Sequence, residues 1–532
     1  MQRTREEMEA LLSDHQQYRD ALFCRGYLLT EDDSLDEKAY PFYGTWKEWN
    51  IQSYRLLVHP KQDVTVFEEG EQALLLIGHA YDPFTMCPDE KELLSTAAKA
   101  LSESREAFFD CINGWTGIFV LFVLNREPFA VQDCAGIKAL YYGTVEGHRT
   151  FTSHPQLVAD LYSLSMDPFV RKLVTNRFYN IGNRYLPGDL SPYAPLKRMG
   201  ANVTLHWDGD GFSVRRFFPN APHPEITTEE EYQRAIEESA RILSNGIRLA
   251  SEKWERPAIS LSGGTDSKTT LACANGLYDR FLYYSFQSKE SEVRDSLAAQ
   301  KICADVGITH RIYPIASENE QVEDFDVLKA ILDHTTAYEK NLADNEVRKY
   351  IHFYRAELCD VEIKSWISEV VRVFFDRKYG IRMPKKLTPR HFSIFQTRYF
   401  LSPRLLHESD RLYRAFMERF GLTEAPYNYE HTDFYYWEVR MSNWGMQVAS
   451  SQDMCHRVTF PFNNRKLMIL MLSIPREKRI DDTMHQDIIK RTNHAISDAN
   501  IHVKNNYFTS KRIWLEKIYY YYRTIPYRLF HR

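Results

Sequence analysis

A short strand that runs into two glycines and then into a helix most restricts how this 532-residue chain can fold. The segment AISLSGGTDSKTTLA covers residues 258–272, with the turn at Ser262–Ser267 and good helix formers after it. Glycines let a backbone approach a ligand closely, and the first N–H groups of a helix point at a bound anion. The pattern predicts an anion site in this turn.

The side chains of the turn narrow down which anion it would hold. The sequence cannot be laid over G-x-x-x-x-G-K-[ST], the common phosphate loop. Ser262 and Ser267 can donate to phosphate oxygens, whereas Asp266 would repel phosphate unless a divalent cation lay between them. We therefore expect a nucleotide phosphate with Mg²⁺ bound by Asp266. An ordinary strand-to-helix turn with a serine cap is the alternative interpretation.

Composition is that of a globular protein with a real core. The chain is 44% hydrophobic and 26% charged, and its net charge of −5 argues against a nucleic-acid partner held by bulk charge. No apolar run reaches about 18 residues, and the charged start has no apolar core like that of a signal peptide. The eight cysteines are scattered without a C-x-x-C pair, which predicts buried thiols and a cytoplasmic location.

The secondary-structure pattern of the sequence changes near residue 222, where we predict a domain boundary. Strand-like segments such as 73–81 and 117–124 precede it, and 202–218 predicts a hairpin turning at Asp208–Gly211. A capping box, Thr228 with Glu231, then begins an amphipathic helix, and strands alternate with helices as in a parallel sheet. The predicted organisation is an N-terminal helix at 1–20, a strand-rich domain at 21–221, an α/β domain with a helical C-terminal part at 222–505 and a basic aromatic tail at 506–532.

The turn resembles the SGGxDS signature of the PP-loop ATP pyrophosphatases, and its flanks resemble asparagine synthetase. The resemblance runs in order through INGWTGIFVLFVLNREPFAVQDCAGIKALYYG (112–143), FTSHPQLV (151–158), YLPGDLSPYAPLKRMGANVTL (185–205), SEVRDSLAAQKICADVGITHRIYPI (291–315) and RVTFPFNNRKLMILMLSIPREKR (457–479). It implies an α/β fold: an N-terminal-nucleophile-type α/β/β/α sandwich, followed by a PP-loop parallel-sheet domain with a helical C-terminal part.

The resemblance also implies cofactors and a site. ATP and Mg²⁺ are the implied cofactors, with Mg²⁺ on Asp266 and on Glu369, which stands where the family has a second acid after a strand. Catalytic roles would fall to Glu369, to Lys268 and to a late lysine, for which His485, Lys490 and Arg491 compete and Lys490 is preferred. Arg372 would face phosphate or pair with Glu369. The implied ATP-binding residues are Leu261, Ser262, Gly263, Gly264, Asp266, Ser267, Phe286 and Ser365.

The departures from the family concern the glutaminase half. The family's nucleophile is a cysteine at the mature N-terminus, whereas Gln2 stands here and Cys24 is internal. An internal cysteine has no free amine to act as its base. The family's Arg-Gly-Pro-Asp stretch is missing, and LIGHAYDP (76–83) replaces its Gly-Asn-Gly-Glu clamp. We therefore expect no glutaminase activity. In this respect the chain resembles beta-lactam synthetase, which also has a glutaminase-like domain without the cysteine.

The functional hypothesis is an ATP-dependent, AMP-forming amide ligase that adenylates a carboxylate and couples it to an amine. The alternatives are an ammonia-dependent asparagine synthetase and a catalytically inactive binding or scaffold protein. The expected partner is a small-molecule or peptide substrate, and homodimerisation stays open. The tail at 506–532 could lie at an anionic membrane, although packing on its own domain is the favoured interpretation.

Overall fold

The computed structural model describes residues 3–176, 179, 185–209, 211–336, 342–396, 402–498 and 509–530. It has three sheets. Two are six-stranded and antiparallel, and the third is five-stranded and parallel. The α/β fold class is confirmed. Among the described residues, no helix combines the length and apolar character needed to cross a membrane.

The two antiparallel sheets form the N-terminal part. The first has the order β10-β8-β9-β1-β3-β2 and the second β12-β11-β7-β6-β5-β4. Their strands are β1 (Tyr27–Thr30), β2 (Lys47–Ile51), β3 (Tyr54–Val58), β4 (Val64–Glu69), β5 (Gln72–Tyr81), β6 (Thr116–Leu124), β7 (Phe129–Gln132), β8 (Tyr141–Val145), β9 (His148–Thr152), β10 (Leu196–Arg198), β11 (Val203–Asp208) and β12 (Gly211–Arg216).

Alternation along these strands produces the layers. Successive side chains of a strand point to opposite faces, so Leu29 enters the core between the two sheets while Leu28 packs under the helix Pro155–Tyr162. In the second sheet, Leu75 faces the same central core, and Leu74 packs against the helices Glu90–Glu103 and Arg105–Asn113. The result is the expected α/β/β/α sandwich.

The parallel sheet forms the core of the second part, in the order β15-β14-β13-β16-β17. Its strands are β13 (Pro257–Ser260), β14 (Leu282–Gln287), β15 (His310–Pro314), β16 (Val361–Ile363) and β17 (Arg457–Thr459). The helices of the chain are Arg5–Asp14, Glu90–Glu103, Arg105–Asn113, Pro155–Tyr162, Pro168–Val174, Glu229–Lys253, Thr265–Cys273, Glu290–Asp305, Phe325–Thr336, Asp344–Ala356, Phe374–Tyr379, Pro389–Gln396, Pro403–Arg419, His431–Phe434, Met446–Gln452, Arg465–Leu472, Arg476–Ile480, Thr483–Thr492, His494–Asp498 and Ser510–Phe530. Shorter or wider turns of helix lie at Gln16–Ala21, Tyr278–Arg280 and Ser368–Val371 (3₁₀) and at Tyr435–Gly445 (π).

Several local predictions are confirmed. The capping box at Thr228 and Glu231 begins the helix Glu229–Lys253, and β11 pairs with β12 from Val203↔Arg216 to Asp208↔Gly211. Asp210, within that hairpin turn, lies outside the described residues. The N-terminal helix exists as Arg5–Asp14. It is not a separate unit, because its Met8 and Leu12 join one buried cluster with Leu328 and Ile331 of the helix Phe325–Thr336.

The two halves share buried polar contacts after β17. Asn463 accepts from the Ala135 backbone N–H at 2.9 Å and donates to the Gly117 carbonyl at 2.6 Å and to Asp133 at 2.9 Å. Arg465 donates to Asn202 at 2.9 Å and is 1% exposed. A buried unpaired polar group is costly, so these bonds fix how the halves pack together.

A buried charged cluster joins β16 to the residue before β17. Lys364 Nζ lies 2.7 Å from one carboxylate oxygen of Glu362, and His456 Nε2 lies 2.7 Å from the other. All three residues are less than a tenth exposed. Burial raises the pKa of Glu362, but Lys364 and His456 outweigh it, so this pKa lies well below its usual range.

Candidate nucleotide site at the parallel sheet

The predicted loop lies at the switch point of the parallel sheet. From β13 the chain adds β14 and β15 on one side, then returns to add β16 and β17 on the other. In open parallel sheets, ligands bind outside the carboxyl ends of the strands where the order reverses. Here the reversal places the loop after β13, which contains Ser262–Ser267, beside the residues after β16.

The loop is held in shape by its own hydroxyls. Ser262 Oγ lies 3.0 Å from Ser267 Oγ and accepts from the Gly264 N–H at 3.3 Å. Gly264 is the N-cap of the helix Thr265–Cys273, and it has no side chain to cover the first N–H groups. Leu261 anchors the loop to the sheet, because its N–H donates to the Tyr284 carbonyl at 2.8 Å.

Asp266 is engaged by residues that follow β16. Arg372 Nη1 donates to Asp266 Oδ2 at 2.5 Å, and Ser368 Oγ donates to Asp266 Oδ1. Arg372 also holds both oxygens of Asp482, at 2.8 and 2.6 Å, and Arg377 donates to Asp482 at 2.9 Å. Burial raises the pKa of Asp482, but the two guanidinium groups more than offset this and lower it. The result is a partly buried network of alternating charges beside the loop.

Glu369 lies next to this network. Its Oε2 atom is buried and has no hydrogen-bond partner among the described residues. Burial and the negative charge of Asp266 raise the pKa of the Glu369 carboxyl, with Arg372 opposing them. Two neighbouring carboxylates, one with an unpaired oxygen, fit a divalent cation. The cation would offset the repulsion between the two carboxylates and would bind the buried, unpaired oxygen of Glu369.

His485 is the late-segment residue that the structure brings to the loop. It is fully buried, and its Nε2 lies 3.9 Å from Asp266 Oδ1. Burial lowers the pKa of His485 to about 4, so the ring is neutral near pH 7. Lys490, five residues on in the helix Thr483–Thr492, is exposed, and Arg491 pairs with Glu237 at 2.8 Å. The structure therefore does not bring Lys490 to the loop.

Lys268, Ser365 and Phe286 lie on the helix after the loop, after β16 and on β14, respectively. Lys268 is 7% exposed, and burial lowers its pKa against the opposing charge of Asp482. Ser365 is fixed by Thr270, with the two hydroxyl oxygens 2.8 Å apart. Phe286 lies near the carboxyl end of β14, where Lys349 Nζ is 4.9 Å from its ring centre.

Among the described residues, this site has too few ligating side chains to hold a cation with protein ligands alone. Across the described ranges no group of three or more His, Cys, Asp or Glu side chains is placed to hold a metal ion. Mg²⁺ characteristically takes one or two carboxylates and completes its shell with water and substrate phosphates. Asp266 and Glu369 match that requirement only together with a bound polyphosphate.

Cys24, the first cysteine of the sequence, is not placed to act as a nucleophile. Cys24 is buried, burial raises its pKa to about 11, and its thiol lies 3.2 Å from the Asp453 carbonyl. A thiol with a raised pKa is a poor nucleophile. The nearby cavity measures about 40 Å³ and is lined by His79, Lys138 and Asp453 among others. That space suits about two or three waters. All eight cysteines lie within the described residues and are free thiols.

Sequence reasoning missed Asp482 and Arg377. Asp482 precedes the helix Thr483–Thr492 with φ +68°, a conformation that Asp tolerates better than most residues. The one signal in the sequence was the Asp481–Asp482 pair before a helix, which reads equally well as an ordinary cap. Its partners lie more than 100 positions away, at Arg372 and Arg377.

Comparison with known proteins yields solved structures of distant similarity. No protein-family model matches the chain, and no curated protein matches it. One similar structure is a glutamine phosphoribosylpyrophosphate amidotransferase from B. subtilis complexed with ADP and GMP, at 8% identity and TM-score 0.22, where the match covers 57% of this chain and 62% of that one. Another is described as the allosteric regulatory enzyme of purine biosynthesis, at 9% identity and TM-score 0.24, covering 65% and 92% of the two chains.

Proposed function

We propose that the chain is an ATP-dependent, AMP-forming ligase that joins a carboxylate to an amine and has no glutaminase activity of its own. The observation that carries the proposal is the glycine turn Ser262–Ser267 at the switch point of the parallel sheet, opposite Ser368 and Glu369. A strand, a glycine turn and a helix N-terminus at this place in an open sheet favour a bound phosphate group.

The residues divide into roles by charge. The N–H groups at the start of the helix Thr265–Cys273 and the hydroxyls of Ser262 and Ser267 would donate to the leaving pyrophosphate. Arg372 and Lys268 would offset its charge. Asp266 and Glu369 would hold Mg²⁺, which when bound neutralises phosphate charge.

The proposed chemistry has two steps. A substrate carboxylate oxygen bonds to the α-phosphorus of ATP while the bond between the α-phosphorus and the bridging oxygen breaks, which releases pyrophosphate. The amine nitrogen then bonds to the acyl carbon, AMP leaves, and the nitrogen loses a proton to give the amide. The protein's task is to place the reactants and to stabilise the charge that develops at the loop.

One observation favours the alternative of an inactive binding protein. Arg372 and Ser368 already occupy the oxygens of Asp266, so the acid has a structural role without any cation. If Mg²⁺ and ATP bind, Arg372 must give up its hydrogen bond to Asp266 and donate to phosphate instead. Its second carboxylate partner, Asp482, would keep the guanidinium in place during that change.

Calorimetry with ATP and MgCl₂ tests the proposal before any substrate is known. We expect the wild-type chain to release heat that depends on both components, and Asp266→Asn to bind at least about tenfold more weakly. Asp305→Asn, at an exposed position, is the matched control and should bind like wild type. Pyrophosphate release with a panel of carboxylates and amines then tests turnover. No heat from the folded wild-type chain with ATP and Mg²⁺ would sink the proposal.

A further inference from the structure

The C-terminal helix Ser510–Phe530 carries an unusual share of the exposed apolar surface. Ten large hydrophobic side chains are exposed in the described part of the chain, and six of them lie on this one helix. They are Trp514, Leu515, Ile518, Tyr521, Tyr522 and Ile525. At 100° per residue, all six fall within an arc of about 120°. They form one continuous stripe, which we call the outer stripe.

The opposite face of the helix is firmly packed, so the helix is not loose. Glu516, Tyr520 and Thr524 are buried, and Tyr520 Oη lies 3.1 Å from His391 Nε2. Gly380 allows the close approach, because a Cβ there would lie 2.5 Å from Ile513 Cγ2. The packing fixes which side points away from the protein. A sequence expectation is confirmed in part: the tail packs on its own domain by one face only.

The charge of the C-terminal segment indicates what kind of surface the outer stripe binds. Residues 509–532 contain six Lys or Arg and a single acid, Glu516, a net of +5 in a chain whose total is −5. The acid is on the packed face, Lys511 lies at the N-terminal end of the outer stripe, and Lys517 lies beside it. A second copy placed stripe to stripe would bring two such positive segments together, which is unfavourable. An anionic surface is complementary.

The side-chain types point the same way. Trp and Tyr have amphipathic rings that favour the boundary between lipid headgroups and acyl chains, and Lys can extend its ammonium group to the headgroups. A helix with an aromatic and aliphatic face bordered by lysines is typical of helices that lie in a membrane interface. We propose that the outer stripe binds the surface of an anionic lipid bilayer, with the helix lying parallel to it. This proposal is independent of the proposed ligase activity.

Vesicle flotation with the full chain tests the proposal. We expect binding to vesicles of phosphatidylcholine with about one third phosphatidylglycerol, and little binding to phosphatidylcholine alone. Trp514→Ser and Tyr522→Ser should each weaken partitioning by about tenfold, since each removes one large interfacial side chain. Lys511→Glu should weaken it by roughly fivefold or more, and high salt should do the same to wild type.

The controls use exposed residues elsewhere on the chain. Leu297→Ser and Tyr427→Ser replace apolar side chains that are 52% and 54% exposed, and Lys301→Glu reverses an exposed charge. These variants should bind vesicles like wild type. The proposal is overturned if wild type does not float with anionic vesicles, or if controls and stripe variants lose binding equally. It is also overturned if sedimentation shows a dimer that Trp514→Ser dissociates, because a second copy would then cover the stripe.

Discussion

Replacing Glu362 with glutamine should destabilise the parallel sheet beside the candidate site. Glu362 is 2% exposed and is bonded by Lys364 and His456, each at 2.7 Å. The amide keeps the shape of the side chain but removes its charge, which leaves the Lys364 ammonium buried without a counter-charge. Breaking one partner of a buried ion pair costs about 3–5 kcal/mol.

The effect should be visible as a shift in the thermal midpoint. For a domain of a few hundred residues, about 1 kcal/mol corresponds to roughly 2 °C, so Glu362→Gln should lower the midpoint by roughly 6–10 °C. Differential scanning calorimetry at neutral pH measures it. The control is Glu230→Gln, whose pair with Arg234 is 3.8 Å long and exposed. That variant should shift the midpoint by less than about 2 °C.

The pH dependence has a defined sign. The pKa of Glu362 in the folded chain is depressed, so its contribution to stability is complete above the unfolded pKa of about 4.3 and is lost as pH falls below that value. The gap between wild type and Glu362→Gln should therefore shrink as pH falls below about 4. A gap at neutral pH no larger than that of the control, or one that widens below about pH 4, would refute the reasoning.

Two further predictions concern the interface between the halves and the site. Asn463→Ala should lower the thermal midpoint of both halves together by several degrees, because it leaves buried polar groups without partners at about 1–3 kcal/mol each. The control Asn220→Ala, at an exposed position, should leave the midpoint unchanged. Separate calorimetric transitions for the two halves would contradict this prediction. His485→Leu should leave the midpoint unchanged or raise it, because neither ring nitrogen has a hydrogen-bond partner among the described residues. It should lower ATP affinity by about tenfold, because its Nε2 lies 3.9 Å from Asp266 Oδ1 beside the loop. A large fall in the midpoint with unchanged ATP affinity would assign His485 a purely structural role.

Local features of the fold were predictable from sequence. The glycine turn after β13, the capping box at Thr228 and the hairpin of β11 and β12 follow from residue types a few positions apart. Such short patterns act through local geometry and do not depend on the rest of the chain. The strands at 73–81 and 117–124 were likewise legible, because both are long apolar runs.

The charge network of the site was not predictable in the same way. Asp266 meets Arg372 over 106 positions and Asp482 joins them through Arg372, contacts that a single sequence does not encode by spacing. The late segment shows the difficulty. His485 and Lys490 are five residues apart, which is about 140° around a helix, so a small error in register selects the wrong face. The prediction favoured Lys490, whereas the residue beside the loop is His485.

The bonds that Asn463 and Arg465 make across the two halves have a practical consequence. Cutting the chain near residue 222 would remove Ala135, Gly117 and Asn202, which are the hydrogen-bond partners of Asn463 and Arg465. It would also expose a large apolar surface of the shared core to water. Neither piece is then expected to stay in solution when it is expressed alone. By satisfying these buried groups, the N-terminal sandwich contributes to the stability of the half that contains the parallel sheet.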